Sequence, residues 1–198
     1  MKKIMGVAAV AAMLALTGCS TDSELAKAPS VEPAATASPS SSPEPEGKSE
    51  RGNQIKTVGE GAGVTNMDDE SIADFTINSI AVDPGCTSEY AGPPENGHFL
   101  VLDISMETYA ALGELSEISQ TYMLNPYDMK IIAPNGTTSN ANLSTSAAFM
   151  CLNSAEQFPS GGLGPAEKAT GKMVLDVEVP SGTLVISNYG SPGWEYTF

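Results

Sequence analysis

The residues of this 198-residue chain with the most capacity for chemistry are one histidine, His98, three cysteines at positions 19, 86 and 151, and the acidic run Asp68-Asp69-Glu70. A single histidine rules out an HExxH zinc motif and any multi-histidine metal site. The chain has no Gly-x-Ser-x-Gly elbow and no Ser-x-x-Lys. A Ser–His–Asp triad is assembled in space, yet His98 opens a strand straight after a Pro/Asn/Gly loop, which is a surface position rather than that of a catalytic base. Asp68-Asp69-Glu70, with Asp74 and Asp83 further on, offers carboxylates to a hard cation, which wants six to eight oxygens. No EF-hand spacing accompanies them, so the run reads as solvated charge. Copper is disfavoured because the methionines are dispersed and several fall on core-facing strand positions. Gly59-Glu60-Gly61-Ala62-Gly63 fails the dinucleotide fingerprint, since Asn66 stands where the last glycine belongs, and it reads as a flexible lead-in. The sequons at Asn135 and Asn142 read as polar turns. No catalytic residue, cofactor or metal ligand is expected.

The chain begins with Lys2-Lys3 and an apolar run from Ile4 to Leu16. That order is a secretory signal, and the run is too short to cross a bilayer. Its end, Leu16-Thr17-Gly18-Cys19, resembles the lipobox of bacterial lipoproteins. The resemblance implies cleavage before Cys19, a diacylglycerol on its sulfur, and attachment to the extracytoplasmic face of a Gram-positive type cell membrane; two acyl chains suffice for lasting anchorage. With Cys19 occupied on that reading, Cys86 and Cys151 remain. An even pair outside the cytoplasm reads as a disulfide, with two separately buried thiols as the alternative.

Composition then divides the chain. Residues 19–56 follow the signal peptide of 1–18 and are rich in Ala, Ser, Thr, Pro and Glu, as in Pro39-Ser40-Ser41-Ser42-Pro43-Glu44-Pro45-Glu46. Such a segment lacks the apolar area to offset chain entropy, so a disordered tether with a reach of roughly 30–40 Å is expected. From Gly59 onward lie eighteen of the twenty-four acidic residues against three lysines (Lys130, Lys168, Lys172) and no arginine. That argues against a nucleic-acid or anionic-lipid surface, both of which need a basic patch. A solvated, self-repelling surface is the simplest reading.

The domain expected over 57–198 is all-β, because short alternating runs are separated by turn residues. Leu100, Leu102, Ile104 and Met106 share one face, with Asp103 and Ser105 on the other. Met173, Leu175, Val177 and Val179 face in, whereas Lys172, Asp176 and Glu178 face out. Trp194, Tyr196 and Phe198 alternate with Glu195 and Thr197, and Tyr127, Met129 and Ile131 alternate with Asp128 and Lys130. Phe75 and Ile77 are out of phase with Ile80 and Val82, which predicts a β-bulge or a change of sheet. Asp83-Pro84-Gly85, Gly92-Pro93-Pro94, Pro134-Asn135-Gly136, Pro180-Ser181-Gly182 and Ser191-Pro192-Gly193 suit reversals. Thr108–Ser119 suits a helical turn or packed loop. The polar stretch from Thr137 to Gly164, clamped in its middle by Cys151, is the place to look for a binding surface. Several short strands with a bridging disulfide give a two-sheet sandwich.

Val58-Gly59-Glu60, Phe75-Thr76-Ile77-Asn78-Ser79-Ile80, Gly97-His98-Phe99-Leu100-Val101-Leu102-Asp103-Ile104, Asn125-Pro126-Tyr127-Asp128-Met129-Lys130, Gly164–Lys172 and Val174-Leu175-Asp176-Val177 occur in an order that resembles the DUF4352 family of Gram-positive lipoproteins. The resemblance covers about residues 57–198 and implies an immunoglobulin-like fold similar to that of the secreted mycobacterial antigen MPT63. It brings no catalytic residues. The function expected is a membrane-anchored, non-enzymatic domain that binds a protein or cell-envelope component. A metal- or small-ligand-binding lipoprotein using acidic loops is the alternative, and a hydrolase resting on His98 comes third.

Overall fold

The computed structural model describes residues 47–115, 120–188 and 191–198. The expected signal peptide, Cys19 and the tether as far as Glu46 lie outside the described residues, as does the end of the Thr108–Ser119 connector. Among the described residues, eight strands form two four-stranded sheets: β1 (Gln54–Lys56), β2 (Gly61–Thr65), β3 (Ser71–Val82), β4 (His98–Thr108), β5 (Met129–Ile132), β6 (Lys168–Val177), β7 (Thr183–Asn188) and β8 (Ser191–Thr197). Their orders are β1-β8-β7-β5 and β2-β3-β4-β6. Every pairing is antiparallel except β1 with β8, which is parallel. Among the described residues one α-helix, α1 (Ser146–Met150), lies between β5 and β6.

Period-two alternation puts one face of each sheet into a shared core. Phe75, Ile77, Leu102, Ile104, Leu175 and Val177 meet Ile131, Leu184, Ile186, Trp194 and Tyr196. Phe75 and Trp194 pack edge to face with ring centroids 5.0 Å apart. The phase change in β3 is a bulge: Ile77 faces Ile104, and Ser79 faces the next residue of β4, Asp103. The extra residue moves Ile80 and Val82 into register with the core.

Four local expectations are corrected. Tyr127 belongs to a short 3-10 turn, Pro126–Asp128, and is 78% exposed; β5 starts only at Met129. The cause is Asn125, whose side chain accepts from Tyr127 N and starts the turn with Pro126 behind it. Ser191-Pro192-Gly193 is strand, not reversal. The β7–β8 ladder shifts register between Ile186 and Asn188, and a Cβ on Gly193 would stand 2.2 Å from the Ile186 carbonyl, so glycine is what lets the two backbones close. Gly61–Gly63, expected as a flexible lead-in, begins β2 and pairs with β3.

The fourth correction concerns the domain's beginning. Gly47–Lys56, expected within the disordered tether, is folded. β1 pairs with β8, and the turn before it wraps the carboxylate of Glu195, which is 4% exposed. Glu195 accepts from Ser49 Oγ (2.9 Å), Arg51 Nε and Nη2 (2.8 and 2.6 Å) and Asn53 Nδ2 (2.8 Å). The chain's one arginine therefore serves the folded domain, because a carboxylate in a sheet must be met by donors.

Candidate functional site

The outer face of the β2-β3-β4-β6 sheet is covered over one half only. There α1 and its neighbours pack on Phe99 and Val174, forming a small satellite core of Phe99, Ala147, Ala148 and Cys151. Thr145 starts the helix by accepting from Ala148 N (3.1 Å), ahead of a run of good helix formers. The same hydroxyl donates to Asp176 (2.7 Å), which also accepts from Glu95 N (2.7 Å) and Asn96 N (2.9 Å). Alternation alone has Asp176 facing water. It points to the outer face as the alternation requires, but α1 and the 93–97 loop cover it completely. At the other end of α1, Cys151 is bonded to Cys86, with Cα atoms 4.7 Å apart, and its carbonyl accepts from Thr87 N and Ser88 N (2.9 and 3.2 Å). The Thr137–Gly164 stretch is thus an ordered cover with buried Leu143, Leu152, Phe158 and Leu163, not a loose loop.

Beside this cover lies a cleft of about 300 Å³. Its floor is β6 at Lys172–Val174, one wall is α1, and the other is the turn at Asn125–Tyr127. The rim carries Tyr127 and Phe149, 78% and 67% exposed, and partly exposed Met123. Large apolar side chains gathered at the mouth of an apolar cleft are what a recognition site presents. Gly171 contributes from behind: a Cβ there would come 2.7 Å from Phe158 N, so glycine lets the 156–158 segment lie against β6 and close the cleft's end.

A second concavity, of about 730 Å³, occupies the uncovered half of the same sheet face. Its polar groups already serve one another. Tyr109 donates to Asp74 (2.7 Å), Lys168 pairs with Glu107 (2.7 Å), and Asn78 donates to Asp103 and Ser105 (2.9 and 2.8 Å). The Asp74 bond pushes the Tyr109 hydroxyl up to about 12, because the phenolate would lose that bond and face the carboxylate. Its carboxylates are thus engaged by neighbouring donors, and Lys168 is the one cation that lines it.

The residues singled out for chemistry are dispersed. His98 opens β4, and its Nδ1 meets Asp83 Oδ2 at 2.7 Å. That bond, together with Phe99 N–H, holds the Asp83 carboxyl below its usual range. Among the described residues no side-chain hydroxyl or thiol is hydrogen-bonded to His98. Asp68-Asp69-Glu70 forms the β2–β3 turn, where the Asn66 side chain accepts from Asp68 N and Glu70 N (both 2.9 Å). Among the described residues no group of three or more His, Cys, Asp or Glu is placed to hold a metal. Asn135 lies in the turn after β5 and Asn142 before α1, and each side chain accepts from the backbone two residues on. Sequence reasoning missed Tyr127 as a surface residue and Phe149 altogether. The Thr145-Ser146-Ala147-Ala148 helix start was the available signal for the latter.

Fold and cleft together define the class: a two-sheet β-sandwich, clamped by one disulfide, with an apolar cleft at a sheet edge. No family model matches the chain, and no curated protein matches it either. Among solved structures the chain is similar to MPT63, a secreted protein from Mycobacterium tuberculosis, with 13% identity, a TM-score of 0.46, and coverage of 74% of this chain and 98% of that one.

Proposed function

We propose that this chain is an extracytoplasmic lipoprotein, anchored by lipid on Cys19, whose sandwich is a non-enzymatic module that binds a protein or cell-envelope component in the cleft beside α1. The observation that carries the reading is the exposure of Phe149 and Tyr127 at the mouth of a cleft built by residues of several elements. Basic start, apolar run and Leu16-Thr17-Gly18-Cys19 support export and lipidation. The Cys86–Cys151 bond suits an oxidising compartment. The order of strand motifs from Val58-Gly59-Glu60 to Val174-Leu175-Asp176-Val177 supports placing the domain beside the DUF4352 lipoproteins.

The test uses the full lipidated protein on intact cells, with a photo-cross-linking residue at position 149 or, as a control, at fully exposed Met67. A partner cross-linked at 149, absent at 67, and lost on Tyr127→Ser supports the reading. Identical products at both positions overturn it. The anchor is tested separately: Cys19→Ala should move the protein from the membrane fraction to the medium, and continued membrane partition refutes lipidation at that sulfur.

A further inference from the structure

The β6 strand is an edge, and among the described residues the chain covers that edge at two places. In the β4–β6 ladder, residues 172, 174 and 176 face Asp103, Val101 and Phe99. Lys172 directs both its backbone groups away from β4: its N–H donates to Glu156 O (2.8 Å), and its carbonyl accepts from Phe158 N (2.9 Å). Antiparallel alternation then sends the groups of Val174 and Asp176 the same way. Asp176 N–H donates to Leu143 O (2.9 Å). Between these two covered positions, among the described residues, nothing bonds to the N–H or carbonyl of Val174, and Val174 is part of the cleft floor. The 156–158 segment is itself a one-residue strand addition, bridging Gln157 to Lys172 in parallel.

The cleft's charge narrows the occupant. In a domain with eighteen carboxylates from Gly59 onward, no residue lining this cleft is acidic, and Lys172 is its one cation. The Lys172 ammonium stands 3.7 Å from Glu156, a loose pairing that leaves donors available. An unpaired backbone donor and acceptor, apolar walls and one ammonium together describe a receptor for extended backbone. Resting on the reading of this cleft as the binding site, we propose that it takes an extended peptide segment, which adds to the β6 edge at Val174, seats an apolar side chain against Phe149 and Tyr127, and presents a carboxylate to Lys172.

The probe is a set of blocked pentapeptides, acetyl-Ala-Φ-Ala-Glu-Ala-amide with Φ as Leu, Phe or Met, titrated into the full, isotope-labelled chain while amide resonances are followed. At least one peptide should shift the Val174 amide downfield, the mark of a new hydrogen bond. Methylating the peptide's backbone nitrogens one at a time should abolish binding at a single position, the one whose N–H meets the Val174 carbonyl, because Lys172 and Asp176 on either side are already bonded within the chain. Lys172→Gln should weaken binding roughly fivefold at low salt, and high salt should erase that difference. Binding indifferent to every N-methylation overturns the proposal and leaves the cleft as an apolar site. Failure of all peptides to move the Val174 amide overturns it too. If the position-149 cross-link is also absent, the reading of the cleft falls with it; if that cross-link persists, only strand addition fails.

Discussion

Removing residues up to Lys56 should cost this domain far more than trimming a tether. A chain starting at Thr57 lacks Ser49, Arg51 and Asn53, so Glu195 loses the four side-chain hydrogen bonds they supply. It also loses the parallel pairing of Gln54–Lys56 with Trp194–Tyr196. Bonds to a charged acceptor contribute about 1.5–3 kcal/mol each when fully buried. The cut admits water to Glu195, and Arg51 is itself 46% exposed, so the sum must be discounted heavily. About 3 kcal/mol of lost stability is the reasoned figure, equivalent to roughly 6–12 °C in Tm for a domain of this size. Arg51→Gln alone should cost about 1–2 kcal/mol. The loss has a pH signature. The Arg51 guanidinium, with help from Asn53 and Ser49 and against the effect of burial, holds the Glu195 carboxyl below its usual range. A depressed folded pKa gives stability that is present above the unfolded value, near 4.3, and lost as pH falls through the lower folded value. Arg51→Gln should therefore flatten the stability profile in that acid window. Urea unfolding of the chains starting at Gly47 and at Thr57, at pH 7 and across the acid range, measures both effects. Equal stability of the two chains within about 0.5 kcal/mol, the ordinary scatter of an inconsequential change, refutes the clasp.

Replacing Cys86 and Cys151 by alanine together should lower stability by about 4 kcal/mol for a closed loop of 65 residues, an upper figure from chain entropy. Hydrogen exchange should show the loosening first in α1, whose last turn the bond holds. Asp176→Asn puts an amide N–H₂ where three donors converge, so unfolding should become easier by about 2–3 kcal/mol, read by urea midpoint. Tyr196→Phe should leave stability unchanged or raise it by up to ~1 kcal/mol, because the buried Tyr196 hydroxyl has no partner among the described residues. A clear drop in melting temperature would show that the hydroxyl is bonded.

Much of the sandwich was legible. Alternation identifies the core faces of β4 and β6, because one-sided burial enforces period two, and the phase change in β3 announces its bulge. Pattern does not report how far an outward face is covered. Asp176 and Asp103 both read as polar residues pointing out of the sheet; α1 covers the first, and the second stays in contact with water. Composition misled at Gly47–Lys56, where a polar stretch folds because one distant carboxylate binds three of its side chains. Local turn chemistry also outranked alternation at Tyr127, which a capping asparagine moved from core to surface.

By itself, the sequence determined the class of fold and the core faces, along with the chain's acidic balance, since these follow from local periodicity and residue counts. The tertiary structure alone decided that Gly47–Lys56 folds onto β8, that Glu195 and Asp176 are buried hubs, and that β6 leaves Val174 open at the floor of an apolar cleft. Each of those depends on which remote segment lies over a strand's edge or face, and residues more than 140 positions apart, such as Arg51 and Glu195, meet only once the sheets are assembled.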